Sequence, residues 1–144
     1  MLGRKSYTRD EVDRARAAID ERVAAYDALR RAVASGGGAA EAEALESAYF
    51  TALVLALDRF FVHRVRTVTG KDTNPLSEVE LVSDSLIAGT ALETGTVVTY
   101  VPEKSVLGLA PGDPIVVTAD GFRRLSAAFL ATIETRFLDE GQPT

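Results

Sequence analysis

The 144-residue chain has no cysteine, no tryptophan, one histidine, one methionine and three lysines. Without cysteine there is no disulfide framework, no thiol nucleophile and no zinc site built on thiolates. The single histidine, His63, excludes any site that needs two, and no Glu-x-x-His or His-x-x-x-His spacing exists, so neither a metal nor another cofactor is expected. There is no GxxxxGK[ST] phosphate loop and no GxSxG elbow around a serine, so no catalytic residue is assigned. The longest apolar stretch, Ala52–Leu57, stops at Asp58, far short of the roughly 20 residues that a membrane span requires. The start carries Arg4, Lys5 and Arg9 and leads into no apolar run, so no secretory signal is expected and the protein is expected in the cytoplasm. Acidic residues outnumber basic ones, 21 to 16, a balance that argues against a nucleic-acid partner.

The chain does hold 47% apolar and 26% charged residues, the usage of a globular protein with one core. A single helical domain over 1–144 is expected, with 1–7 and 139–144 flexible. Thirteen arginines and 22 alanines fit a high-GC bacterial coding bias.

Periodicity predicts four helices, the first two long and antiparallel. The first spans Thr8 to Ala34, with Thr8 and Glu11 forming a capping-box pattern and Val12, Ile19, Val23, Tyr26, Leu29 and Val33 a single stripe. At 1.5 Å per residue it is about 40 Å long and needs a long partner. Ser35 and Gly36 to Gly38 make the connector. The second helix is read as one unbroken rod, Ala39–Thr69, closed by Gly70. Its middle, Ala48–Val62, is apolar almost all round, which marks a helix covered on several sides and makes a homodimer the expected assembly. Asn74 and Pro75 open a third helix that ends at Gly89, and Thr118 and Asp120 open a fourth, striped by Phe122, Leu125, Phe129, Ile133 and Phe137. Between them, Val97–Val101 and Pro114–Val117 are β-rich, and a small ribbon is expected there. The fold class is therefore mainly α (α+β).

Two resemblances bear on this reading. The stretches FFVHRVRTVTGKDTNPLSEVELVSDSL (Phe60 to Leu86) and VPEKSVLGLAPGDPIVVT (Val101 to Thr118) resemble a group of small proteins of high-GC bacteria that has no assigned activity. Locally, VVTYVPEKSVLGLAPGDPIVV is similar to the strand–Pro–turn–LGLxxGD–strand element of AbrB-type swapped-hairpin transcription regulators. Val97–Val101 matches the first strand, Pro102 the proline, Leu107 to Leu109 the LGL, and Gly112 with Asp113 the GD. The resemblance implies a local shape. Lys104 is the one basic residue between Leu92 and Gly121, so no DNA-contact residue is carried over.

The most chemically loaded segment is Asp58 to Glu80. On an unbroken rod Arg59, His63 and Arg66 share a face, and a loop turning the third helix back brings Lys71 and Asn74 to them. Guanidinium groups and a helix N-terminus suit phosphate, nucleotide or carboxylate, so Arg59, His63, Arg66, Lys71 and Asn74 form a candidate anion-binding set. The competing reading pairs Arg59 and Arg66 internally with Asp58, Asp72, Glu80 or Asp84. Three functional classes follow: a homodimeric interaction or scaffolding protein, a small-anion binder or enzyme, and a transcription regulator.

Overall fold

A computed structural model describes residues 3–139, and Met1, Leu2 and residues 140–144, part of the expected flexible ends, lie outside it. The protein is mainly helical: α1 (Arg9–Ala34), α2 (Ala39–Phe60), the single turn α3 (Arg66–Thr69), α4 (Pro75–Ala88) and α5 (Ala119–Arg136). Two-residue strands β1 (Tyr7–Thr8) and β2 (Leu138–Asp139) pair in parallel. Among the described residues no helix is long and apolar enough to cross a membrane.

Local chemistry sets the helix ends. Thr8 Oγ1 accepts the Glu11 N–H while the Glu11 carboxylate accepts the Thr8 N–H, a complete capping box. Asn74 Oδ1 accepts the N–H groups of Leu76 and Ser77, and Pro75 takes the first helical position, where a missing donor costs nothing. Gly89, at φ 73°, closes α4 in a left-handed conformation that a side chain would strain.

Burial then fixes the packing. α2 and α5 lie side by side and run the same way: Phe50 meets Phe122 at 5.6 Å and Phe61 meets Phe129 at 5.7 Å between ring centroids. α1 packs on both in the opposite sense, with Tyr26 against Phe50 at one end and Arg9 and Arg16 on Glu134 at the other. α4 packs on α2 and α5 as well. Val12, Ile19, Phe50, Val54, Leu57, Phe61, Val79, Phe122, Leu125, Phe129 and Ile133 fill the space between, all fully buried.

The expected rod over 39–69 is broken. α2 ends at Phe60, Phe61 turns into the core, and His63 takes φ 65°. The cause is tertiary. The Arg4 N–H donates to the His63 carbonyl at 2.6 Å, the Val65 N–H donates to the Arg4 carbonyl at 3.0 Å, and the Tyr7 hydroxyl donates to the Val62 carbonyl at 3.1 Å. Phe61 meets Tyr7 edge-on at 4.9 Å. These contacts offset the roughly 1–2 kcal/mol that a left-handed non-glycine residue costs. They also tie down part of the segment expected to be loose: Tyr7 is buried, and a Cβ on Gly3 would sit 2.8 Å from the His63 carbonyl oxygen.

The expected ribbon is not formed either. Residues 90–118 make an irregular strap holding one 3-10 turn, Pro102–Lys104. The backbone of the would-be strand Val97–Val101 is spent elsewhere: the Thr99 N–H donates to the Lys71 carbonyl and the Val101 N–H to Thr73 Oγ1. Pro114–Val117 takes no regular structure and pairs with no strand among the described residues. The buried carboxylate of Glu78 clamps the strap, accepting the Val106 N–H at 2.7 Å and the Leu107 N–H at 2.9 Å. Burial pushes this carboxyl up, against the pull of those two donors.

Glu78→Ala leaves two strap amides without an acceptor and is expected to cost about 1–3 kcal/mol. Amide exchange at Val106 and Leu107 will accelerate ahead of exchange in α2; unchanged protection there refutes the clamp. The capping box gives a pH test. The Arg4 guanidinium, then the Thr8 N–H, hold the Glu11 carboxyl at about 2. The folded value lies below the unfolded one, so this stability is present above the unfolded value and is lost as pH falls toward the folded one. Glu11→Gln is expected to cost less than about 1 kcal/mol near neutral pH, because the pair is partly exposed. The gap between the denaturation curves of variant and parent should close on acidification.

Candidate functional site

The break after Phe60 decides what the end of α2 presents. Arg64, whose side chain is 5% exposed, folds back under the helix end. One Nη donates to the Phe61 carbonyl at 2.6 Å, and the other reaches Asp58 Oδ1 at 3.2 Å. The guanidinium also lies over the Phe129 ring, 5.2 Å from its centroid. Burial pushes the Asp58 carboxyl up, Arg64 pulls it down, and the nearby Asp84 charge adds to the rise. Arg66, at the start of α3, donates to Glu80 Oε1 on α4 at 2.6 Å.

Two hollows line this region. One, of about 430 Å³, is bounded by Arg66, Glu80, Asp84 and the strap residues 93–98. The other, of about 270 Å³, is bounded by Asp58, His63, Arg64, Glu80 and Asp84. They share Glu80 and Asp84, so together they form one cleft along α4. Its carboxylates, Asp58, Glu80, Asp84 and Glu93, outnumber its guanidinium groups, and both arginines are already paired. The cleft therefore opposes an anion electrostatically. Among the described residues no three His, Asp or Glu side chains are grouped to hold a metal ion.

The five residues of the expected anion set are not gathered into one place. His63 lines the smaller hollow and Arg66 the larger, where Glu80 neutralises it. Arg59 is exposed on the last turn of α2 and lines neither. Lys71 is exposed, and its carbonyl anchors the strap through the Thr99 N–H. Asn74 is spent as a cap: its Nδ2 donates to the Thr69 and Asp72 carbonyls and to the Asp72 carboxylate. The start of α4 consequently has its first free N–H groups accepted within the loop itself. Arg66 took one of the internal partners left open by its spacing; Arg59 took none.

A second surface was not singled out by sequence position. The face of α2 opposite Phe50, Leu53 and Leu57 carries Ala44, Leu45, Ala48, Ala52 and Leu55. Ala44, Ala48 and Ala52 are exposed, and Leu45 is 42% exposed. Leu86 of α4 and Ile115 of the strap wall one side, enclosing an open groove of about 570 Å³. Ile87, next to Leu86 in the chain, is 79% exposed, and Val116, next to Ile115, is exposed too. The signal was the all-round apolarity of Ala48–Val62, which marks coverage without saying which side the fold leaves open.

Comparison with protein-family models, with curated proteins and with solved structures found no match.

Removing Arg64 strands the half-buried Asp58 charge. Arg64→Ala is expected to cost about 2–4 kcal/mol at neutral pH. The ionised Asp58 is the destabilising species, so the loss shrinks as pH falls through its raised value. Denaturant titrations at several pH values will show this convergence, and a loss independent of pH would refute the ion-pair account.

Proposed function

We propose that the protein is an interaction protein that works as a homodimer, docking a second copy on the outer face of α2. The observation that carries this reading is the composition of that face. A surface helix ordinarily turns charged and polar residues to solvent. Here Ala44, Leu45, Ala48, Ala52 and Leu55 occupy the outward positions instead. Contiguous exposed apolar surface of this kind marks an association site, and Leu86 and Ile115 widen it. The mixed-charge cleft along α4 supports the reading indirectly, since each of its two guanidinium groups already meets a carboxylate of the fold.

Sedimentation velocity at tens of micromolar is expected to give a dimer. Ala48→Glu places a charge at the centre of the face on an exposed residue, so the monomer is expected to keep its helical content and melting temperature. Burying that charge in the dimer should weaken association by at least about a hundredfold. A strictly monomeric parent protein sinks the proposal, and so does an Ala48→Glu variant that dimerises as the parent does.

A further inference from the structure

Outer-face residues of α2 are spaced in a way that fixes how two copies meet. Glu41, Leu45, Ala48, Ala52, Leu55 and Arg59 follow one another at intervals of four, three, four, three and four residues. That alternation keeps one seam of a helix toward a partner helix over five turns. All six lie within Ala39–Phe60, and each is exposed or half-exposed. The interior of the seam is apolar, and its two ends carry opposite charges. Neither Glu41 nor Arg59 makes a side-chain hydrogen bond or an ion pair within the described chain, although the salt bridges there engage eight other arginines around the bundle.

Resting on the homodimer reading above, we propose that two copies join through α2 in an antiparallel pair about a two-fold axis level with residue 50. In that arrangement Glu41 faces Arg59 of the partner subunit, Leu45 faces Leu55 of the partner subunit, and Ala48 faces Ala52 of the partner subunit. Every residue of the seam finds a complement, as an isologous interface requires. The alanines at the centre let the axes approach to about 8 Å, the close end of helix packing. A parallel pair of the same register sets Glu41 on Glu41 and Arg59 on Arg59, two like-charge contacts that disfavour it.

The natural absence of cysteine makes the arrangement directly readable, because introduced thiols are the only ones present. Leu45→Cys alone is expected to stay uncrosslinked under mild oxidation. In the antiparallel pair its two copies are ten residues apart along the axis, about 15 Å at 1.5 Å per residue, beyond the roughly 7 Å that a disulfide spans between Cα atoms. Leu45→Cys with Leu55→Cys in the same chain is expected to crosslink into a covalent dimer. Glu41→Arg and Arg59→Glu should each weaken dimerisation about tenfold in sedimentation, and the two together should restore it to within about threefold. Efficient crosslinking of Leu45→Cys alone overturns the antiparallel arrangement in favour of a parallel one. A protein that dimerises while the double charge reversal stays as weak as the single ones overturns the register. A monomeric parent protein instead removes the homodimer reading, and this arrangement with it.

Discussion

Tyr7 standing edge-on over Phe61 is the contact from which the far end of the molecule is organised. It joins the N-terminal segment, the end of α2 and, through Phe137 against the same tyrosine, the end of α5. Phe61 must leave the helix to reach that position. Once it does, the carbonyls of Val62 and His63 no longer belong to a helical ladder and are taken by Tyr7 and Arg4. The Arg64 guanidinium then covers the Phe61 carbonyl and meets Asp58. One aromatic pair thus determines where α2 stops, how its terminal carbonyls are satisfied and why a buried arginine is tolerated. The same constraint disperses the cationic groups that an unbroken helix would have aligned.

The strap between α4 and α5 solves a different accounting problem. A segment of this length without sheet or helix must find partners for its backbone groups where water is excluded. Side chains of other segments supply them. Glu78 accepts two N–H groups, Thr73 bridges the Thr99 carbonyl and the Val101 N–H, and Ser85 Oγ accepts the Glu93 N–H. The fully buried glutamate on α4 accepts from two strap amides and lies in the field of Arg124. Its desolvation is offset by the two amides that it holds, and that exchange keeps the strap against α4, with Ile115 lining the α2 groove.

What was legible in the sequence were features whose partners lie within a few residues. The Thr8–Glu11 box, the Asn74–Pro75 start, the Gly89 stop and the Thr118 cap all depend on bonds inside one turn, and each stands where composition puts it. The break at Phe61 depends on residues nearly 60 positions away, which helical periodicity does not see. A local trace of it existed: Val62, Val65, Thr67, Val68 and Thr69 are β-branched and weaken helix propensity after Phe61. The ribbon failed for a related reason. β-rich composition expresses fit to a neighbouring strand, and Val97–Val101 finds the loop at Lys71–Thr73 instead. Of the site residues, Arg66 found an internal partner that its spacing allowed, while Asn74 was spent on capping, the role that also made it a good helix start.

The unresolved demand of the sequence is that the middle of α2 is apolar almost all round. Three of those sides are answered inside the fold, by α1, α4 and α5. The fourth is not, and the contrast with the rest of the surface makes this specific. The outer face of α1 intersperses its alanines and Leu29 with Asp13, Arg14, Asp20, Glu21, Arg30 and Arg31, and that of α5 intersperses Ala127 and Ala131 with Arg123 and Arg124, as solvent-facing helices should. On α2 the outward alanines and leucines follow one seam, and that seam lies between two charges of opposite sign. A generic sticky patch has no reason to be bounded in this way. The proposed pairing with a second copy does, because each end of the seam has to complement the other end when the helix is reversed.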